Sequence, residues 1–354
     1  MGGRIAFVVA DAPVPAALLR AAAELGLAAD AIETVPPGLN PLASGYAAGQ
    51  IAAALKAAGP DLVHCIGLRA SLVGGAACLL AGIDRRVFGI GGAGDWLPHP
   101  RLAGRAARRG AAFLLGRVLR SPRTRYLFGT EGGARALRFD PRDGAVAIIR
   151  LSGVDAEGLR PPPMPAAPPL RVAVAGPLLR AMAVDVAVEA VRIAREGGLD
   201  VELTLVGGEA GAPPQALRPE TLRGWAAQPG IRWQPVAPEP ATLWAEHHLA
   251  CMPSRAGEGV PDMLLEAAAC GRPLVATDIP GRRDFITDDQ EGLLVAPDDP
   301  AALAAAFRRF AEDPVLLPRM GAASRARVLH GWTERDAAER AKALYRAMLA
   351  GAPA

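Results

Sequence analysis

The chain has 354 residues, of which 51% are hydrophobic and 21% charged, a composition typical of a globular protein long enough for two domains. A net charge of +3 is too small for the concentrated basic surface of a nucleic-acid-binding protein, so no nucleic-acid partner is expected. The four cysteines lie singly in apolar runs, without the spacing of a metal site or a disulfide framework. We therefore expect no metal and a cytoplasmic protein with reduced thiols.

The first 155 residues alternate short apolar strands with helices. This alternation predicts a parallel sheet that is covered by helices on both faces. The predicted strands are Arg4–Ala10, Asp61–Cys65, Arg86–Ile90, Arg125–Thr130 and Ala145–Leu151. The predicted helices are Ala16–Leu27, Ile51–Ala58 and Ser71–Ala81, the last ending at Gly82.

Residues 156–170 are rich in proline. Proline has no backbone N–H to donate to a sheet and favours an extended polyproline geometry. We interpret this segment as the linker between a first domain at 1–155 and a second at 171–330.

The second domain repeats the alternation. Two α/β halves imply a cleft between them, and ligands of open parallel sheets bind beyond the carboxyl ends of the strands. The C-terminal helix within 331–354 is expected to pack back on the first domain. The predicted strands are Arg171–Ala175, Val201–Val206, Ile231–Pro235, Leu249–Met252, Pro273–Thr277 and Leu293–Val295. The predicted helices are Val184–Glu196, Ala241–Glu246, Pro261–Cys270, Pro300–Glu312 and Thr333–Leu349.

A glycine-containing loop, Ala256-Gly-Glu-Gly259, joins the strand that ends at Met252 to a helix that begins at Pro261. Free backbone N–H groups at such a helix start, together with the helix dipole, suit a phosphate group. Glu258 lies in the loop and Glu266 lies in an otherwise apolar part of the helix. By itself this pattern is also compatible with an ordinary strand–turn–helix that carries a surface glutamate.

The whole stretch from Pro253 to Gly281 closely resembles the retaining glycosyltransferases of family 4, above all the bacterial subgroup that builds surface polysaccharides and lipid-linked oligosaccharides. The resemblance extends to Ser152-Gly-Val-Asp155, Leu205-Val-Gly-Gly208 and Glu291-Gly-Leu-Leu-Val295. It implies the GT-B fold, with two Rossmann-like α/β domains that face a cleft, and transfer of a sugar from a nucleotide sugar, most commonly a UDP-sugar.

The resemblance also implies roles for individual residues. Glu258 would contact the hydroxyl groups of the donor sugar as the catalytic carboxylate, and Glu266 would bind the ribose hydroxyls. Backbone groups of Gly257, Gly259 and Val260 would face the sugar and the pyrophosphate. This architecture generally needs no metal ion and no separate cofactor.

The chain departs from the family at three positions. Pro177 and Met182 stand where the family has an arginine and a lysine that neutralise the pyrophosphate, and Gly91 stands at the position of a histidine near the reacting sugar. Losing one fixed donor of this kind typically costs about 3 kcal/mol of transition-state stabilisation. One interpretation is an active enzyme with substitute cations, and the alternative is a catalytically impaired homologue that acts as a binding or regulatory partner. The candidate substitutes are Arg180, Arg255 and Arg283.

Two further features concern the acceptor side. Gly91 and Gly92, with Asp95 and Trp96 after them, are candidates for contact with a glycan or a polyprenyl- or lipid-linked acceptor. Residues 101–125 carry eight arginines and no acid, interleaved with apolar residues. Such a stretch attracts anionic lipids and could dock on the inner membrane face. The alternative is a solvated, arginine-rich helix.

The histidines are interpreted as structural. His64 is expected in the core, with a position lining the cleft as the alternative. His247 and His248 are adjacent, so their side chains point in different directions and do not form a metal-binding pair.

Overall fold

The computed structural model describes residues 3–10, 13–32, 41–90, 102–151, 153–208, 216–255 and 259–350. The chain forms two compact units. The first contains residues 1–153 and 334–354, and the second contains residues 154–333. Each unit is built on one six-stranded parallel sheet, which confirms the predicted α/β class with two Rossmann-like sheets.

The sheet of the first unit has the strand order β2-β1-β3-β4-β5-β6. Its strands are β1 (Gly3–Val8), β2 (Leu27–Ile32), β3 (Leu62–Ile66), β4 (Arg86–Gly89), β5 (Thr124–Phe128) and β6 (Val146–Ile148). Its helices are α1 (Ala16–Glu24), α2 (Pro41–Ala58), α3 (Leu68–Ala81), α4 (Leu102–Phe113) with a π-helical turn at Leu114–Val118, α5 (Glu131–Ala136) and α13 (Glu334–Ala350).

Both faces of this first sheet are buried. In β1, Ile5 and Phe7 point into one apolar cluster, whereas Ala6 and Val8 point into the other. Successive side chains of a strand point to opposite faces, so a strand between two helical layers must be apolar at every position. This is why the buried part of β1, from Ile5 to Val8, is an uninterrupted apolar run in the sequence.

The C-terminal helix α13 packs in the first unit. Its apolar face, with Ala338, Leu344 and Tyr345, joins the cluster that also contains Leu18 of α1. At the polar edge, Lys342 pairs with Glu24 of α1 at 2.6 Å. The chain therefore leaves the first unit, builds the second, and returns.

The sheet of the second unit has the order β12-β11-β10-β7-β8-β9. Its strands are β7 (Leu170–Ala175), β8 (Val201–Val206), β9 (Ile231–Gln234), β10 (Leu249–Met252), β11 (Leu274–Thr277) and β12 (Gly292–Val295). Its helices are α6 (Val184–Glu196), which follows a 3-10 turn at Arg180–Met182, α7 (Pro219–Ala226), α8 (Pro240–Glu246), α9 (Asp262–Ala269), α10 (Pro280–Arg283), α11 (Pro300–Glu312) and α12 (Leu316–Leu329).

The proline-rich segment at 156–170 was interpreted as the linker between the domains. It lies against the second unit, where the guanidinium group of Arg272 donates to the carbonyl oxygens of Pro162 and Pro163. Arg325 donates to the carbonyl oxygens of Ala156 and Leu159. A proline-rich segment offers many acceptors and few donors, so arginine is a suitable partner.

Five elements were not expected from the sequence. Strand β2 lies at a sheet edge, and only its end residues Leu27 and Ile32 are buried, so its pattern is weak. The short helices α5 and α10 and the helices α7 and α12 were also unexpected. In α12 the pattern is interrupted by Gly321, whose Cβ would lie 2.1 Å from the carbonyl oxygen of Gly271 if it had one. The glycine allows a close approach that only the tertiary structure shows.

Candidate functional site

The chemistry-bearing loops of the second unit meet at one point of its sheet. The chain runs from β7 outward to β9, and then returns to β10 on the other side of β7. The space beyond the carboxyl ends of β7 and β10 is therefore the switch point at which open α/β sheets bind ligands. The loops that follow these strands, at 176–183 and 253–261, are bonded there, since Arg255 N donates to the Ala181 carbonyl oxygen at 2.9 Å.

The loop after β7 has an unusual backbone. Leu178 and Ala183 have φ values of 45° and 51°, in the left-handed region that non-glycine residues rarely adopt. Such strain clusters at functional sites, where the surrounding structure imposes it. Met182 fills the loop from within: it is buried, and its sulfur accepts a hydrogen bond from Leu179 N at 3.4 Å. Pro177 is exposed. Neither residue supplies a cation.

The loop after β8 closes on the same region. Gly207 has φ +109°, and an added Cβ would lie only 2.0 Å from the carbonyl oxygen of Gly176. The indole N–H of Trp233 donates to the Gly207 carbonyl oxygen at 2.8 Å. The loops after β7 and β8 are thus packed backbone to backbone, and only glycine fits at position 207.

Two of the three candidate cations are already neutralised. Arg255 makes a two-pronged ion pair with Asp185, at 2.6 and 3.0 Å, and a second ion pair with Asp298 at 2.6 Å. Hydrogen bonding to this guanidinium holds the pKa of Asp185 below its usual range. Arg283 forms an ion pair with Asp278. Asp185 and Asp298 lie 70 and 43 residues from Arg255 along the chain, so no local pattern predicts these ion pairs.

Arg180 is different. It lies in the exposed 3-10 turn after β7, and its side chain has no ion pair with any residue that the structure describes. It is therefore the one of the three candidates whose charge is available to an anion at this edge of the sheet.

Glu266 lies in the middle of α9, between the buried Leu265 and Ala267. Its carboxyl group is half-buried and accepts no hydrogen bond from the residues described. Burial raises the pKa of Glu266, and the nearby charge of Asp262 raises it further. A carboxyl group with a raised pKa and no hydrogen-bond partner among the described residues is typical of a ligand-binding site.

The loop before α9 is described at both ends but not at its centre. Gly259 has φ +75°, and Val260 packs partly against the core of the second unit. Arg282 of α10, which the sequence analysis did not single out, donates from Nη1 to the Gly259 carbonyl oxygen at 2.6 Å. The predicted site residues Gly257 and Glu258 lie outside the described residues, as do Gly91, Gly92, Asp95 and Trp96.

The histidines have structural partners. His64 is buried in β3, and its Nδ1 lies 2.8 Å from the hydroxyl of Tyr345. His247 bonds the Leu243 carbonyl oxygen and the Thr204 hydroxyl. His248 accepts from Arg171 N and donates to the Pro165 carbonyl oxygen. Over the described ranges, no three His, Cys, Asp or Glu side chains are grouped so as to hold a metal ion.

The basic stretch in the first unit exposes apolar side chains. Phe113, Leu114 and Val118 are exposed by 61%, 43% and 45% at the end of α4 and in its π-helical turn. Arg109 and Arg117 are exposed beside them and have no ion pair within the described part of the chain. Nothing described forms a helix both long and apolar enough to cross a membrane. Arg120 and Arg123 are paired with Asp143 and Asp84.

Sequence comparison identifies relatives over part of the chain. Residues 169–313 match the family model of glycosyl transferases group 1. The D-inositol 3-phosphate glycosyltransferase of Streptomyces avermitilis is 31% identical over 208 residues, covering 56% of this chain and 42% of that protein. The enzyme of the same name from Thermomonospora curvata is 36% identical over 140 residues, covering 37% and 31%. The matches thus span less than half the length of these relatives.

Solved structures match the whole chain. HepE of Anabaena in complex with UDP-glucose superposes with a TM-score of 0.75 at 15% identity, covering 98% of this chain and all of that one. The sucrose-phosphate synthase of Thermosynechococcus elongatus superposes with a TM-score of 0.78 at 18% identity, covering 99% of this chain and 100% of that one. The chain therefore has the two-unit GT-B fold, and its second unit contains a region that matches the family model of glycosyl transferases group 1.

Proposed function

We propose that the protein transfers a sugar from a nucleotide sugar, with UDP as the nucleotide, to a glycan or a polyprenyl- or lipid-linked acceptor. The observation that carries the proposal is the position of Glu266. Its carboxyl group accepts no hydrogen bond from the described residues, and it lies on α9, the helix that follows β10 in a unit that matches glycosyl transferases group 1. A structural neighbour, HepE, was solved with UDP-glucose. Retention of the anomeric configuration, and a role in building cell-surface polysaccharide, are part of the proposal.

In this scheme each donor-side residue has one task. The carboxylate of Glu266 accepts hydrogen bonds from the two ribose hydroxyls, and Glu258 contacts the donor sugar as the catalytic carboxylate. Backbone N–H groups of Gly257, Gly259 and Val260 face the sugar and the pyrophosphate. No metal ion or other cofactor takes part.

Leaving-group stabilisation falls to a single arginine. As the bond between sugar and phosphate breaks, negative charge develops on the pyrophosphate, and a fixed cation there lowers the barrier. Met182 and Pro177 cannot supply it, and Arg255 is neutralised by Asp185 and Asp298. We assign this task to Arg180, with Arg255 fixing the loop to which Arg180 belongs.

The acceptor is assigned to the first unit. Gly91, Gly92, Asp95 and Trp96 follow β4, whose carboxyl end belongs to the ligand-binding edge of that sheet. We further propose that Phe113, Leu114, Val118, Arg109 and Arg117 dock the first unit on an anionic membrane surface that carries a lipid-linked acceptor. Apolar side chains flanked by cations match the interface between acyl chains and anionic headgroups.

Calorimetric titration with UDP, GDP and ADP, each free and sugar-linked, tests the donor site. We expect saturable binding of UDP that is lost in Glu266→Ala and kept in Arg192→Gln, which removes an exposed arginine of α6 paired with Glu189 and Glu196. Binding of GDP or ADP instead of UDP would show that the nucleotide of the donor carries guanine or adenine rather than uracil. No binding of any nucleotide at millimolar concentration would reject the transferase and leave the non-catalytic homologue. Binding without turnover would also support that alternative.

A further inference from the structure

Three polar side chains are buried beneath the loop that joins β10 to α9. Ser254, Thr277 and Arg282 are exposed by only 2%, 1% and 3%. The hydroxyl of Thr277 donates to the Ser254 carbonyl oxygen at 2.6 Å. Arg282 donates from Nη2 to the Ser254 hydroxyl at 3.2 Å and from Nη1 to the Gly259 carbonyl oxygen at 2.6 Å.

These contacts place one guanidinium group at both ends of a short segment. Ser254 precedes residues 255–258, and Gly259 follows them. A planar guanidinium has donors at fixed angles, so two of them fix the separation of the two groups that they contact. Burying an arginine is costly because its charge loses hydration, and this cost is offset only where its hydrogen bonds are well made. The position of Arg282 therefore indicates a role in holding this segment.

Thr277 and Arg282 hold the loop from the side of β11 and α10. On the opposite side, Arg255 is held by Asp185 and Asp298, which lie in α6 and just before α11. The backbone N–H of Arg255 also bonds the Ala181 carbonyl oxygen. The described ends of the loop are thus bonded to five other segments of the second unit.

We propose that Arg282 is a positioning residue for the loop that carries Glu258. It holds Ser254 and Gly259 at a fixed separation, so that the N–H of Gly259 meets the donor sugar, while Glu266 on α9 binds the nucleotide independently. The inference rests on the proposed function for its ligand and on the contacts of Arg282 for its mechanism.

Arg282→Met tests this division of labour. The affinity for UDP should change by less than about threefold, because Glu266 is untouched. The additional affinity of the UDP-sugar over UDP should disappear, and kcat should fall by roughly a hundredfold, since displaced catalytic groups lose about this much. Amide hydrogen exchange at residues 254–260 should accelerate. Arg282→Lys, which keeps one donor to the loop, should recover part of the kcat and of the protection.

Arg272→Met is the matched control. Arg272 is equally buried in the same unit, but its partners are the carbonyl oxygens of Trp244, Pro162 and Pro163. It should lower the stability and leave kcat and the exchange of residues 254–260 unchanged. Equal effects of Arg272→Met and Arg282→Met on the loop would overturn the inference. If the wild-type protein binds no nucleotide, the proposed function fails, and the exchange comparison still decides whether Arg282 holds the loop.

Discussion

Glu266 has an ionisation that should be visible in ligand binding. Burial, with a contribution from Asp262, raises its pKa above the ordinary value of a glutamate. A ribose hydroxyl donates best to the ionised carboxylate, so a proton on Glu266 competes with the nucleotide. Protonation of Glu266 therefore opposes nucleotide binding at a higher pH than protonation of an exposed glutamate would.

We therefore predict that UDP affinity falls as the pH decreases through the raised pKa of Glu266. The decline should approach roughly tenfold per pH unit below that pKa. Calorimetry from about pH 8 to about pH 5 measures it. Glu266→Gln should bind weakly and without this dependence, and Asp262→Asn should shift the decline to lower pH. A wild-type curve that coincides with that of Glu266→Gln in shape would remove Glu266 from the nucleotide site.

Arg180 and Arg255 show that the role of an arginine in a site depends on the side chains around it. Arg180 and Arg255 are both near the loop after β7, and both were candidates to neutralise a pyrophosphate. The aspartates at 185 and 298 neutralise Arg255, so it acts as a tie between segments. Both side chains are exposed, but Arg180 has no ion pair with the residues that the structure describes.

Among the elements, the proline-rich segment at 156–170 is held by buried donors. Arg325 of α12 donates to the carbonyl oxygens of Ala156, Leu159 and Ala269. Without Arg325, these carbonyl oxygens would be partly buried and would lack a donor. The free energy lost by leaving them unpaired exceeds the net stabilisation that a typical hydrogen bond contributes.

Arg325→Met should reduce the free energy of unfolding of the second unit by about 2–4 kcal/mol. Urea unfolding followed by tryptophan fluorescence measures this, because four of the five tryptophans lie in residues 154–333. Arg319→Met removes an arginine of the same helix that pairs with Asp289 at the surface, and should cost less than about 0.5 kcal/mol. Similar decreases in the free energy of unfolding of the two variants would show that Arg325 does not stabilise the proline-rich segment.

The exposed apolar side chains at the end of α4 and in its π-helical turn predict binding to anionic membranes. The protein should sediment with vesicles that contain anionic lipid and not with neutral vesicles, and binding should weaken as salt is added. Substituting Phe113, Leu114 and Val118 together by serine should abolish sedimentation.

The control for this prediction lies in the same unit. Leu79 and Leu80 of α3 are also exposed, and their double substitution by serine should leave vesicle binding intact. If both sets of substitutions have the same effect, or the wild-type protein ignores anionic vesicles, the segment at 102–125 is a solvated helix.

For the whole molecule, a buried hydrogen bond joins the early and late parts of the chain. His64 in β3 and Tyr345 in α13 lie 2.8 Å apart between Nδ1 and the hydroxyl oxygen. Burial lowers the pKa of His64 to about 3. The unfolded histidine has its ordinary pKa of about 6.5, so below that pH the unfolded chain takes up a proton that the folded chain refuses.

The stabilisation by neutral His64 is therefore complete above about pH 6.5 and is lost progressively as the pH falls toward about 3. Between about pH 7 and about pH 5, this group alone should lower the free energy of unfolding of the first unit by about 2 kcal/mol. The double variant His64→Leu with Tyr345→Phe should lack this part of the pH dependence. Chemical unfolding at several pH values measures the difference, and parallel wild-type and variant curves would contradict it.

The sequence by itself determined the features that depend on local pattern. Alternating apolar runs predicted two parallel sheets, because strands covered on both faces must be apolar where they are buried, as β1 is from Ile5 to Val8. The stretch around Glu258 and Glu266 predicted a nucleotide-sugar site through its resemblance to the glycosyltransferases of family 4, and this site stays a prediction. The edge strand β2 and helix α12 were missed because their patterns are weak.

Only the tertiary structure decided which groups are available. Asp185 and Asp298 neutralise Arg255 although they lie 70 and 43 residues away along the chain. Arg282 contacts Gly259, 23 residues before it. Arg325 donates to the carbonyl oxygens of Ala156 and Leu159, which are more than 160 residues distant. A charge, a donor or a strained turn acquires its role from the partners that folding brings to it. Because Coulomb attraction and hydrogen bonding act over a few ångströms of space, sequence separation does not reveal them.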